Sequence, residues 1–188
     1  MKKKIGFVLF SLFCLFLVFA CDNFNFSINF DISDWLEENS SSGEIPEDIK
    51  DRVVYYARKY EEADTYYKYG GQDPLRAIGI DCSGLVVMCY KYALEGTGYT
   101  LIKSDMNTTY MKDYASDVTY NPEPGDLVFM GDANSSKINH VGIFVKKIGS
   151  EVYFIDSSSS GSTGVYERHY SEFDKKIKSY GVMKLKRK

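Results

Sequence analysis

His140-Val141-Gly142-Ile143-Phe144-Val145 and Val152-Tyr153-Phe154-Ile155-Asp156 are two apolar runs of strand length, separated by a short polar connection. Leu127–Met130 precedes them after a turn containing Pro122, Pro124 and Gly125, the weaker alternation of Val165–Tyr170 follows, and Gly181–Leu185 closes the series. Short apolar runs joined by short loops pair as antiparallel strands. Upstream the period changes. Pro46 suits a first helical turn, Glu47 and Asp48 complement the positive end of the helix dipole, and Ile49, Val53, Tyr56 and Tyr60 recur at helical spacing. Residues 46–60 therefore read as an amphipathic helix, Gly70-Gly71 as a break, and Cys82 to Leu94 as a second helix burying Leu85, Val86, Cys89 and Ala93. Helices first and strands later predict an α+β domain with an antiparallel sheet.

The 188 residues hold one ordinary domain and a tail, and 44% hydrophobic with 26% charged residues is a globular composition. Eight of the 12 Phe lie before residue 31, whereas all 16 Tyr lie between Tyr55 and Tyr180, so the two ends are built for different surroundings. Met1-Lys2-Lys3-Lys4 is a basic start, followed by an almost unbroken apolar run from Ile5 to Ala20. As a helix that run is roughly 24 Å long, short of the ~30 Å hydrocarbon core, which is the pattern of a secretory signal rather than a membrane span. Val18-Phe19-Ala20-Cys21 resembles a bacterial lipobox, with Phe19 bulkier than usual. The resemblance implies a signal peptide at 1–20, cleavage before Cys21, and acylation of that residue; several acyl chains anchor firmly. The competing reading is an uncleaved anchor helix with an incidental Cys21, and either way the remainder is exported. Residues 21–45 read as a polar tether, except that Phe24, Phe26, Ile28, Phe30 and Ile32 alternate with polar residues. That segment is a strand for a sheet edge, a contact with the bilayer interface, or an incidental spacer. Without Lys2, Lys3 and Lys4, 20 basic residues face 26 acidic ones, a net charge of −6 that argues against a nucleic-acid partner.

Of four Cys, Cys14 leaves with the signal and Cys21 is the acylation site, so Cys82 and Cys89 remain in the 46–188 domain. On one helix they stand about 10 Å apart, too far for a disulfide. Cys89, between Met88 and Tyr90, fits a buried apolar position. Cys82 sits in Asp81-Cys82-Ser83-Gly84, where a loop becomes a helix, and partial positive charge at a helix start favours thiolate over thiol. A thiolate nucleophile needs a proton carrier, and the chain has only His140 and His169. His140 opens an apolar strand at a loop, whereas His169 alternates in phase with Glu167 on a solvated face, which favours His140. Asp156 ends the next strand and, from a neighbouring antiparallel strand, can accept from His140 while both face the helix of Cys82. The alternative is that Asp156 only caps a hairpin before Ser157–Ser160.

Tyr67-Lys68-Tyr69-Gly70-Gly71, Asp81-Cys82-Ser83-Gly84-Leu85-Val86, Pro124-Gly125-Asp126-Leu127-Val128-Phe129 and His140-Val141-Gly142-Ile143 occur in that order. Across roughly residues 50 to 170 this resembles the NlpC/P60 cell-wall peptidases. The resemblance implies a papain-like α+β core, with Cys82 as nucleophile, His140 as base and Asp156 as the orienting third residue. It also implies that the Tyr67 hydroxyl stabilises an oxyanion beside the N–H of Cys82, and that Asp81 and Ser83 receive the substrate's amino end. Those two residues equally suit a plain capping role at the helix start. The sequence departs from the family pattern in having Asp rather than His in third place, Tyr69 where Trp is common, and a longer loop from Gly71 to Asp81.

The expected protein is thus a monomeric cysteine endopeptidase of the bacterial cell envelope, lipid-anchored at Cys21 on the exported side of a membrane. It needs no metal or cofactor, and its partner is the peptidoglycan stem peptide, cut between D-glutamate and a diamino acid. Two alternatives remain open on sequence: a cell-wall amidase or acyl-transfer enzyme using the same thiol, and an inactive lipoprotein that binds wall peptides or a protein.

Overall fold

The computed structural model describes residues 46–75 and 79–188. The proposed signal peptide, Cys21, the tether and the Phe24–Ile32 alternation lie outside the described residues. Helix α1 spans Glu47–Glu62, starting at Pro46 with Glu47 and Asp48 in its first turn, and it buries Ile49, Val53, Ala57 and Tyr60. Helix α2 spans Cys82–Ala93 and buries Leu85, Val86, Val87, Cys89, Tyr90 and Ala93. A turn of helix α3, Thr108–Tyr110, runs into a wider π-helical turn over Met111–Ala115.

The strands are β1 Tyr99–Leu101, β2 Ser116–Thr119, β3 Leu127–Met130, β4 His140–Ile148, β5 Glu151–Ser158, β6 Gly164–Ser171, β7 Ile177–Met183 and β8 Leu185–Arg187. Six of them form one sheet in the order β2-β7-β3-β4-β5-β6, every pairing antiparallel, and β1 pairs with β8 separately. This is the expected α+β arrangement, with one correction. Gly181–Leu185 is not a single strand: β7 begins earlier, at Ile177, and the chain leaves the large sheet at Lys184 so that Leu185 begins β8. Lys178 and Ser179 hide the start of β7 from a hydrophobicity reading, because the first half of that strand is only partly buried.

Alternation divides the sheet's side chains between two faces. Leu127, Phe129, Val141, Ile143, Ile155 and Val165 join α1 and α2 in the main core, while Val128, Met130, Phe144, Val152 and Phe154 form a smaller cluster on the other face. The Pro124-Gly125-Asp126 turn ties both helices to this sheet. Gly125, at φ +94°, lets the chain turn where a side chain would run into the backbone of Lys50 in α1. Its carbonyl accepts from the Tyr90 hydroxyl of α2 at 2.9 Å, and its N–H donates to Phe144 of β4. The Lys50 ammonium lies 3.0 Å from the Asp126 carboxylate and 2.8 Å from that of Glu123. Asp126 is 1% exposed. Burial pushes its carboxyl up, and the hydrogen bonds from Lys50 and from the Glu123 backbone act against that.

Removing one member of a buried ion pair strands the other, at a cost of about 3–5 kcal/mol. We therefore expect Lys50→Met to lower stability by an amount in that range in denaturant unfolding. Lys50→Met combined with Asp126→Leu should recover most of the loss.

Candidate active site

The site is assembled where the start of α2 meets the first residue of β4. Asp81 caps α2: one carboxylate oxygen accepts from the Gly84 N–H at 2.7 Å and the Ser83 hydroxyl at 3.0 Å, the other from the Gly70 N–H at 3.0 Å. Asp81 thus caps the helix, whereas Ser83 donates to that cap and satisfies no helix N–H itself; both line the groove in front of Cys82. The loop carrying Tyr67 is pressed onto this cap. A Cβ on Gly84 would lie 2.1 Å from the Gly71 carbonyl oxygen, so only glycine lets loop and helix approach this closely. The packing sets Cys82 at a fixed point, partly exposed, with its Sγ 3.8 Å from the Thr108 hydroxyl.

His140 donates from Nε2 to Oδ2 of Asp156 at 2.5 Å, which leaves Nδ1 for the Cys82 thiol that the ring also contacts. The Asp156 side chain is 4% exposed and His140 is 24% exposed. Burial alone pushes the His140 ring down, but the hydrogen bonds and charges of Asp156 and Cys82 outweigh it and raise it from 6.5 to about 10. A proton on the ring is thus favoured from both sides, by the carboxylate at Nε2 and by the sulfur across the groove.

One detail differs from the sequence expectation. His140 and Asp156 do not lie on the sheet face packed against α2. Register and alternation put them with Gly142, Phe144 and Phe154 on the other face. They meet Cys82 because His140 is the first residue of its strand, beyond which the sheet no longer separates the two sides. Gly142 makes room for the pair, since a Cβ there would sit 3.3 Å from the Cβ of Asp156 and 3.0 Å from the Phe154 ring.

Tyr67 borders the grooves on both sides of Cys82, and burial together with Cys82 and Asp81 pushes its phenol up, so it stays a neutral donor. One groove, about 540 Å³, runs from Tyr69 and Gln72 past Asp81, Ser83 and Cys82 to Lys103, Asp105 and Lys137. The other, about 400 Å³, is lined by Cys82, His140, Asp156, the Ser158–Ser160 loop, Arg168 and Lys176. Tyr69 is 89% exposed on the first groove's rim. Cys89 is fully buried, which pushes its thiol well up, and His169 stacks on Tyr153 at 5.1 Å away from the site. Among the described residues no cluster of His, Cys, Asp and Glu is arranged to hold a metal ion.

Two members of the site escaped sequence reading. Thr108 follows no strong pattern. Arg168 is bonded to Asp156, and its position between Glu167 and His169 already puts it on the opposite face of β6 from those two.

A papain-like α+β core with a helix-start thiol, a strand-borne histidine and a buried carboxylate defines a class of cysteine-dependent hydrolase folds. The chain belongs to the NlpC/P60 family, whose model matches residues 64–180. Members of that family are generally cysteine peptidases or amidases acting on peptidoglycan. Among solved structures the chain is similar to NlpC1 from Trichomonas vaginalis, at 19% identity and a TM-score of 0.54, over 76% of this chain and 46% of that one. It is also similar to a lipoprotein-like NLP/P60 family protein of Staphylococcus aureus Mu50, at 20% identity and a TM-score of 0.51, over 77% of this chain and 44% of that one. These likenesses establish the fold, and the chain spans less than half the length of either protein. No curated protein matches it.

A histidine raised on folding stabilises the protein below its unfolded value and loses that contribution as pH climbs through its folded value. The extra stability of the wild type over His140→Gln should therefore be complete below pH 6.5 and disappear by about pH 10. Denaturant unfolding across that range, with the His140 ring followed by NMR, reads both quantities on one sample.

Proposed function

We propose that the chain is a peptidoglycan-hydrolysing cysteine endopeptidase. The observation that carries this reading is the contact of the Cys82 thiol with a histidine whose other nitrogen is held by the buried Asp156. The Cys82 sulfur, having passed its proton to His140 Nδ1, attacks the scissile carbonyl carbon. Helix geometry leaves the Cys82 N–H without an intrahelical acceptor. That N–H and the Tyr67 hydroxyl donate to the developing oxyanion, an interaction whose loss typically costs 10²–10³ in rate. Collapse of the tetrahedral intermediate breaks the C–N bond, and the imidazolium gives its proton to the departing amine. His140 then takes a proton from water, the resulting hydroxide opens the thioester, and the thiol is restored.

The bond we assign is the one between D-glutamate and the diamino acid of the stem peptide. The substrate's amino end lies on the Asp81–Ser83 side of the cleft. We further propose that acylated Cys21 holds the domain, through residues 21–45, on the exported side of a bacterial membrane. No helix among the described residues is long and apolar enough to cross one.

Purified protein incubated with peptidoglycan should release fragments whose masses place the cut at that bond, and Cys82→Ala should release none while unfolding at a temperature close to wild type. A cut at another bond would overturn the assignment, and an active Cys82→Ala would overturn the mechanism. His140→Ala should be as damaging as Cys82→Ala, and His169→Ala nearly silent. Cys21→Ser should move the full-length protein from the membrane pellet to the soluble fraction at unchanged specific activity.

A further inference from the structure

Asp156 has two carboxylate oxygens and two cationic partners. Oδ2 accepts from His140, and Oδ1 accepts from Nη1 of Arg168, which comes from β6. Asp156 faces Tyr166 across the β5–β6 ladder, so Arg168, two residues further along β6, is its diagonal neighbour on the same face. The guanidinium does more than pair with this carboxylate. Nη1 also donates to the backbone carbonyl of Asp156 at 3.2 Å, and Nη2 donates to the carbonyls of Ser162 and, at 3.4 Å, Gly164. The side chain is 17% exposed and lies over the Tyr166 ring. A planar fork of donors is thus closed over one carboxylate and the hairpin that follows it.

We propose that Arg168 is a positioning residue for the thiol chemistry: by holding Oδ1 of Asp156 it keeps Oδ2 on His140 and thereby keeps Nδ1 of the ring against Cys82. The inference rests on the reading of Cys82, His140 and Asp156 as the reacting set. A carboxylate is free to rotate about its last bond, and with one partner its unengaged oxygen would compete for His140. With Arg168 in place only one oxygen is available, and the ring has one orientation. The same fork carries Ser162 and Gly164, so the Ser158–Ser160 wall of the groove is referenced to the carboxylate that orients the histidine. This gives Asp in the third place what an uncharged residue would not need, a second cation on its far side.

A purely structural Arg168 would only tether the β5–β6 hairpin, and a double-mutant cycle separates the two roles. The rate of Cys82 alkylation by iodoacetamide at pH 6 reads thiol activation without any wall substrate. It would be measured for the wild type, Arg168→Met, Arg168→Lys, Asp156→Asn and Arg168→Met with Asp156→Asn. Losing a charged hydrogen bond is expected to slow alkylation about tenfold or more in Arg168→Met, with part of the rate restored in Arg168→Lys. In the Asp156→Asn background the same Arg168 change should alter the rate less than about threefold, because the group it positions is already altered. The downfield NMR signal of the His140 Nε2 proton should be present in the wild type and lost in Arg168→Met. Equal slowing in both backgrounds, or a wild-type rate with an unchanged proton signal, would overturn the inference. If Arg168→Met does not fold, Arg168→Lys in the same two backgrounds decides by the same ratio. Protein that alkylates as expected but leaves stem peptides intact would overturn the functional reading alone.

Discussion

The Asp81 carboxylate is the constraint on which the site depends. It ends a loop, starts a helix and ties the two together by accepting from Gly70, Ser83 and Gly84. Two of these bonds hold the first turn of the helix that carries Cys82, and the third holds the Tyr67 loop beside it. Gly84 completes the constraint because nothing larger fits against the Gly71 carbonyl. A helix start held this firmly presents both its partial positive charge and its free N–H groups at one place. The Cys82 thiol and the N–H groups of the first helical turn then share one origin, and the proposed attack at a carbonyl relies on that arrangement.

The second half of the site comes from the sheet, and its logic is electrostatic. The Asp156 carboxylate stands directly beside the His140 ring and favours a proton on it. Asp156 is nearly inaccessible to water, so its field at His140 is weakly screened, and the ring is raised to about 10 despite its own burial. A buried carboxylate with one partner would be costly, and the guanidinium of Arg168 completes its hydrogen bonding. Asp156 and Arg168 stand 12 positions apart in the chain and are brought together by the register of β5 against β6.

Much of this was legible beforehand because it is carried by period and by residue type. Pro46, Glu47 and Asp48 mark the start of α1, the Cys82 helix begins at its capping residue, and β3, β4 and β5 follow their apolar runs. With only two histidines, strand placement was enough to direct attention to His140. Other features left no such trace. β1 and β2 are three and four residues long, too short for a period to show, and the first half of β7 is polar because it is only partly covered. Which sheet face carries His140 depends on where the strand ends relative to α2, a tertiary fact. Arg168 was hidden because a single arginine between Glu167 and His169 reads as one more surface charge until its strand is registered against β5.

The central claim is that a bond forms between Cys82 and the acyl half of a stem peptide. Acid quenching during steady-state digestion of a defined stem peptide, followed by intact mass and peptide mapping, tests it directly. The account predicts an added mass equal to the acyl fragment, located on Cys82 and released by hydroxylamine as a thioester should be. Product accumulating with Cys82 unmodified, or the fragment mapped to any other residue, would contradict it.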